Sequence, residues 1–177
     1  MKRTMAVTVL CVAMMLTGAP VRADDAQSRC ARIGQKWVDF WNGLDATKAF
    51  DVFTKDIVYE DVTLGIVASG AKAFQAFAQA NFDAFPNARF ALGQSACHGH
   101  QGFIEWTLTG EDGSMDPPAS GLCGTGKSYT VRGVAVIEIR GHRISRNTDF
   151  WDFTTLLRQL LPEGQECVAR LLGVSEE

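Results

Sequence analysis

The sequence predicts an α+β fold: a cone-shaped, curved antiparallel sheet wrapped around helices that lie on one sheet face. Residues 25–44 place apolar side chains at alternating spacings of three and four, as an amphipathic helix does. Residues 88–151 contain four β-rich segments with two short glycine turns. Helices that precede a run of strands pack as a separate layer. A strongly bent sheet over long helices leaves an internal cavity, which aromatic side chains would line.

The first 23 residues are typical of a secretory signal peptide. Lys2 and Arg3 precede a short apolar run without charges, and small residues surround the expected cleavage point after Ala23. The run is too short to span a bilayer. The alternative is a buried N-terminal helix. We expect a signal peptide over 1–23, a single domain over 24–177, and an exported protein, periplasmic or secreted, without a membrane anchor.

The helices and the first strand follow from local signals in the first half. After the helix over 25–44, Asp45 is placed to cap a short second helix, whose inner side would carry Ala46, Ala49, Phe50 and Phe53. Residues 57–62 predict a strand. Ser69 is placed to cap a third helix, which Pro86 ends because proline cannot continue the hydrogen-bond ladder.

The second half predicts a sheet. Its strands are Ala88–Cys97, Gly102–Thr109, Ser128–Arg140 and Arg143–Trp151, with hairpin turns after the first and third. The Gly- and Pro-rich segment 111–126 is long enough to form a lid or rim. A helix should run to Leu161 and end at Pro162, and a final helical stretch would contain Val168, Leu171 and Leu172.

Charge and cysteine content limit the partners. Without the three basic residues of segment 1–23, 14 basic residues face 20 acidic ones, so the net charge is −6. An acidic chain without a basic run argues against nucleic acid as a partner. Cys30, Cys97, Cys123 and Cys167 allow two disulfides in an exported protein, with three possible connectivities.

Two motifs are better explained without a cofactor. Residues 121–128 match the phosphate-loop pattern G-x-x-x-x-G-K-S, but the β-branched residues that follow predict a strand where a phosphate loop needs a helix. His98, His100 and His142 lie in predicted turns, where histidine is common, and no acid or cysteine ligand is clearly placed beside them. We expect neither a cofactor nor a metal.

The candidate site centres on Asp149, an acid within an aromatic run. The alternation of a strand places Asn147, Asp149 and Trp151 on one face of the last strand, and Tyr59 and Asp61 on one face of the first. Burial would raise the pKa of Asp149 toward neutrality, as a general acid or base requires. Tyr59 would donate a hydrogen bond, and Asp61 would share a proton with Asp149 or hold a water.

A structural role for the same residue is the alternative. Asp149 would then bind a backbone N–H or an arginine such as Arg132 or Arg146. Asp152 falls on the opposite face and is placed to cap the following helix.

Several segments resemble the SnoaL-like polyketide cyclase domains of the nuclear transport factor 2-like superfamily. The resemblance covers residues 27–161 and is carried by Ile57–Asp61, Gly70, Phe74–Pro86, Glu105–Gly110, Thr125–Lys127, Val131–Val134 and Ile144–Asp152. It implies the ketosteroid isomerase-like cone, a cavity for a small apolar molecule, and a homodimer through the outer sheet face. SnoaL-like cyclases use an aspartate as acid and base in an aldol ring closure, and ketosteroid isomerases combine such an aspartate with hydrogen-bond donors at an oxyanion.

The resemblance extends less well to limonene epoxide hydrolase. Tyr59-x-Asp61 is similar to its Tyr-x-Asn motif, and Thr148–Asp152 is similar to its last-strand run with Asp149 at the catalytic position. Its middle-strand Arg-x-Asp is missing, and Glu105 stands there instead. A hydrolase is therefore the less favoured expectation.

The sequence thus predicts acid/base isomerisation or cyclisation of a small apolar carbonyl compound by an isomerase or lyase-type cyclase. We expect Asp149, Tyr59 and Asp61 to be catalytic. The residues expected to contact the substrate are Trp37, Phe77, Glu105, Trp106, Asn147 and Trp151. The alternative is a non-catalytic domain of the same fold that binds a small ligand or dimerises.

Overall fold

The computed structural model describes residues 23–112 and 125–160, with side chains from Gln27 onwards. Several predicted features lie outside these residues. They are the signal peptide up to residue 22, most of the lid or rim segment, Cys123, Cys167, Pro162 and the final helical stretch.

The described residues contain four α-helices. They are α1 (Ala23–Gly43), α2 (Ala49–Val52), α3 (Gly70–Ala84) and α4 (Phe153–Leu160), and a 3₁₀ turn at Ala46–Lys48 precedes α2. Asp45 caps that turn, as predicted, by accepting a hydrogen bond from the Thr47 N–H at 2.9 Å. No helix among the described residues is long and apolar enough to cross a membrane.

Six strands form one curved sheet in the order β2-β1-β6-β5-β4-β3. Their bounds are β1 (Phe53–Asp61), β2 (Ile66–Ser69), β3 (Arg89–His98), β4 (Gln101–Glu111), β5 (Ser128–Arg140) and β6 (Arg143–Trp151). The predicted α+β fold is confirmed, and β5 and β6 have the predicted bounds. Tight turns at Gly99 and Gly141 join the two predicted hairpins, and both glycines adopt positive φ, which a β-carbon disfavours.

The structure corrects three expectations. Phe53 begins β1 instead of lying on the second helix, and its side chain is fully buried. Ser69 precedes α3, but its side chain makes no capping hydrogen bond. Strands β1 and β6 run parallel, in an otherwise antiparallel sheet. The pairing is possible because one helix (α3) and four strands (β2 to β5) lie between β1 and β6 in the chain and return it to the side of β1 opposite β2.

An aromatic core joins the helices to the inner sheet face. Phe40 of α1 contacts Phe53 edge-on at a ring-centroid distance of 5.3 Å, and it contacts Phe74 at a tilted angle at 6.0 Å. The end of α1 is also held by polar contacts, since the Asn42 side chain exchanges two hydrogen bonds with the backbone of Phe90 in edge strand β3. A disulfide joins Cys30 of α1 to Cys97 of β3. Helix α1 is thereby fixed across the sheet.

Candidate active site

A cavity of about 260 Å³ lies between the helices and the inner sheet face. Its wall is predominantly aromatic and apolar, with side chains that include Trp41, Tyr59, Phe77, Phe90, Trp106 and Trp151. The volume is near the lower end of the range for small-molecule sites, about 300–1,000 Å³. Two carboxylates, Asp61 and Asp149, interrupt this wall.

Asp149 is only 2% exposed and accepts hydrogen bonds from three side chains. The indole N–H of Trp106 donates to Oδ1 at 3.1 Å. The Tyr59 hydroxyl donates to Oδ2. The Asn147 amide also donates to Oδ2, at 2.9 Å. Neither arginine suggested by the structural alternative is among these donors, since Arg146 pairs with Glu60 at 3.0 Å and Arg132 is exposed.

Burial raises the pKa of Asp149 from 3.8 to about 7. The three hydrogen bonds act in the opposite direction because they favour the ionised form, and the nearby charge of Asp61 raises the pKa further. A carboxyl with a pKa near neutrality exchanges protons readily in either direction at physiological pH.

Tyr59 occupies the position predicted for a hydrogen-bond donor. It lies on β1 directly beside β6, and its ring contacts Phe77 at a centroid distance of 5.0 Å. Burial, and then the adjacent charge of Asp149, raises the pKa of Tyr59 well above its usual value. The phenol therefore stays protonated and donates to the carboxylate.

Asp61 faces the same cavity, and protein donors bind its carboxylate. Its carboxylate accepts from the Trp151 indole N–H at 3.0 and 3.1 Å and from the Leu64 backbone N–H at 2.9 Å. Asp61 and Asp149 are register partners on neighbouring strands. The influence of Asp61 on Asp149 is therefore that of a nearby negative charge.

The predicted substrate contacts divide into two groups. Phe77, Trp106 and Trp151 line the cavity. Trp37 and Asn147 do not, because they lie behind Asp149, where the Trp37 indole N–H donates to Asn147 Oδ1 at 2.9 Å.

Glu105 is also absent from the cavity wall. Its neighbour Trp106 points inward, so strand alternation directs Glu105 to the other face, where it accepts a hydrogen bond from the Gln94 N–H at 3.4 Å.

Sequence analysis missed two features of the site. Trp41, one helical turn after Trp37, lines the cavity, and the shared helix face was the available signal. Gly133 is the register partner of Trp106, and a β-carbon at this position would overlap the indole ring. Glycine thus makes room for the donor to Asp149, and no local sequence pattern reveals such a contact.

The phosphate-loop motif lies partly outside the described residues, whereas the three histidines lie within them. Lys127 and Ser128 lead directly into β5, so a strand follows the apparent phosphate loop. His98 ends β3, whereas His100 and His142 occupy turns. Within residues 23–112 and 125–160, no group of three or more His, Cys, Asp or Glu side chains is arranged to hold a metal ion.

Comparison with known proteins identifies one family. The sequence model of the SnoaL-like polyketide cyclase family matches residues 31–160. A search of curated proteins finds no match.

Solved structures share the fold at low identity. A protein of ketosteroid isomerase-like fold from Catenulispora acidiphila, in complex with trimethylamine, is 19% identical with a TM-score of 0.64, over 75% of this chain and 95% of that one. A provisionally assigned polyketide cyclase from Xanthomonas campestris is 21% identical with a TM-score of 0.62, over 76% and 98%. TsrD from Streptomyces laurentii is 15% identical with a TM-score of 0.62, over 76% and 96%.

Proposed function

Because the chain belongs to the SnoaL-like polyketide cyclase family, we propose that it is an enzyme that moves protons on a small, mostly apolar carbonyl compound. The observation that carries the proposal is Asp149, a buried carboxyl at the wall of an aromatic cavity, held by three hydrogen-bond donors. An isolated buried charge is costly unless it is paired or used. Export, as predicted from residues 1–23, belongs to the same proposal.

The reaction begins with ionised Asp149. The carboxylate takes a proton from the carbon next to the substrate carbonyl, and the electron pair of the broken C–H bond moves toward the carbonyl oxygen to form an enolate. Where a double bond adjoins that carbon, the enolate is conjugated, and Asp149, now a neutral acid, returns the proton to the far carbon of the conjugated system, which gives an isomer. In a cyclisation, the enolate carbon attacks a second carbonyl within the substrate, and the proton goes to the resulting alkoxide. A pKa near 7 suits both the uptake and the return of the proton.

The cavity wall favours a neutral or cationic substrate over an anionic one. Among the described residues that form it there is no Lys, Arg or His, whereas Asp61 and Asp149 contribute negative charge. The similar protein from Catenulispora acidiphila is in complex with trimethylamine, a small amine. A compact molecule without an acidic group fits these observations.

The experiment tests proton transfer without knowledge of the natural substrate. A panel of small cyclic ketones is incubated with the protein in D₂O, and exchange of the protons next to the carbonyl is followed by NMR. We expect wild type to accelerate exchange of at least one ketone and Asp149→Asn to lose most of that acceleration, since general acid/base catalysis contributes roughly 10²–10⁴-fold.

Asp152→Asn is the matched control. Asp152 lies three residues further along and is exposed, and it caps α4, as predicted, by accepting from the Thr155 N–H at 2.8 Å. This variant should retain the exchange activity. The non-catalytic alternative predicts that ketones bind to wild type and to Asp149→Asn alike. Proton exchange would then proceed at the rate measured in buffer without protein. That result would refute the enzymatic proposal.

A further inference from the structure

We propose that Trp37 and Asn147 are positioning residues that reserve Oδ2 of Asp149 for hydrogen bonds and leave Oδ1 as the atom that exchanges a proton with substrate. The proposal deepens the proposed function and rests on it. It concerns two residues that do not touch the cavity, although the sequence suggested both as substrate contacts.

Trp37 sets the orientation of the Asn147 side-chain amide. An indole N–H is a donor only, so Trp37 must face the amide oxygen of Asn147, which it does at 2.9 Å. The amide nitrogen is then directed toward Asp149 Oδ2, also at 2.9 Å. Trp37 and Asn147 are 1% and 0% exposed, so no bulk water competes for these groups. The tryptophan therefore fixes which end of the amide meets the carboxylate.

The two carboxylate oxygens of Asp149 accept different numbers of hydrogen bonds. Each oxygen of an ionised carboxyl accepts about two hydrogen bonds. Tyr59 and Asn147 together fill Oδ2, whereas Trp106 is the one donor to Oδ1 among the described residues. The remaining acceptor position is on Oδ1. Trp106 lines the cavity, as Tyr59 does, so the open acceptor position on Oδ1 lies beside a donor at the ligand space.

Few charged or titratable side chains surround the Asp149 carboxyl in the described part of the chain. Among the described residues, the titratable side chains that face Asp149 are Tyr59 and Asp61, both on β1. Helix α1 and strand β4 contribute indoles, and β5 places Ala135 beside Asp149 in register. No cation pairs with the carboxylate in this part of the chain. Its ionised form therefore depends on the three donors, and the Asn147 amide would present an acceptor to Asp149 if it turned over.

The experiment follows the carboxyl itself. The protein is labelled with ¹³C at aspartate side-chain carbons, and Asp149 is titrated by NMR in wild type, Asn147→Leu and Trp37→Phe. Loss of a donor to an ionised group should raise the pKa of Asp149 by about one pH unit in Asn147→Leu. Trp37→Phe should raise it by less, because the amide remains but is free to turn. The pH midpoint of ketone exchange should move upward in the same order.

Two control variants remove packing without removing the hydrogen-bond chain. The first is Ile137→Val, because Ile137 lies opposite Asn147 in the neighbouring strand and is also buried. Phe40→Leu is the packing control on the same helix, because Phe40 is buried, lies outside the cavity wall and has no hydrogen-bonding group to lose. Both should keep the wild-type titration of Asp149 even if they lower stability.

Asn147→Leu inserts an apolar group beside a carboxylate and could impair folding, and Trp37→Phe then carries the test alone. An unchanged Asp149 titration in the folded variants would overturn the proposal. If Asp149→Asn still abolishes exchange, that result leaves the enzymatic proposal standing and refutes only the positioning role. Conversely, a shifted titration with no exchange activity in wild type would support the hydrogen-bond chain and refute the enzyme.

Discussion

The raised pKa of Asp149 predicts a stability that falls as pH increases. Between pH 3.8 and about 7, the folded protein retains a proton on this carboxyl that the unfolded chain has already released. The free energy of unfolding therefore decreases with pH across this window and levels off above it. The window covers about three pH units at about 1.4 kcal/mol each, so the loss is about 4 kcal/mol. That is a large part of the roughly 5–15 kcal/mol that stabilises a typical domain.

Asp149→Asn removes this titration and should remove the associated loss. The amide has its own constant cost, because it cannot accept all three hydrogen bonds, so the informative quantity is the change with pH. The unfolding free energy of the variant minus that of wild type should grow by about 4 kcal/mol from pH 4 to pH 8. Urea denaturation followed by tryptophan fluorescence measures both proteins at each pH.

Asp51→Asn is the control for the change in net charge. Asp51 is an exposed residue of α2, and its variant should reproduce the pH dependence of wild type. If wild type and Asp149→Asn lose stability in parallel between pH 4 and pH 8, Asp149 titrates as an ordinary carboxyl. The reasoning from burial to proton transfer would then be refuted.

Three further predictions concern the scaffold. Gly133→Ala should displace the Trp106 indole, cost about 1–3 kcal/mol through overpacking and reduce ketone exchange, as measured by denaturation and NMR. Replacing Cys30 and Cys97 by Ala should cost about 4 kcal/mol, because the disulfide spans 67 residues; a reductant should lower the stability of wild type by more than that of this variant. The expected homodimer through the outer sheet face predicts that Val136→Asp, at an exposed apolar position, produces a monomer in light scattering at concentrations where wild type is a dimer.

Local patterns were sufficient to predict most of the fold because they report which face of an element is apolar. The alternation along β6 correctly placed Asp149 and Trp151 at the same cavity. Pairing between strands that are distant in the sequence could not be predicted from local patterns. Nothing in the sequence near Asp61 indicates that it lies beside Asp149 in a parallel pair, because that pairing depends on the path of the 87 residues between them.

The site was harder to predict because it depends on distances between elements. Helical periodicity puts Trp37 and Trp41 on one face of α1, but which of them reaches the cavity depends on how α1 crosses the sheet. Glu105 illustrates the opposite case. Strand alternation already placed it on the face opposite Trp106, so both could not line the same cavity, and the structure agrees with the alternation.

In the proposed reaction, the two carboxylates of the cavity differ in their surroundings. Asp61 and Asp149 are register partners, and two like charges so close disfavour ionisation of both. Asp61 lies at the β1–β2 turn, where a backbone N–H and an indole N–H bind its carboxylate, and its charge contributes to the raised pKa of Asp149. Pairs of carboxyls whose surroundings separate their proton affinities commonly divide the acid and base roles of a reaction. Asp149, the more deeply buried partner with an acceptor position left on Oδ1, is therefore the one suited to gain and lose the proton.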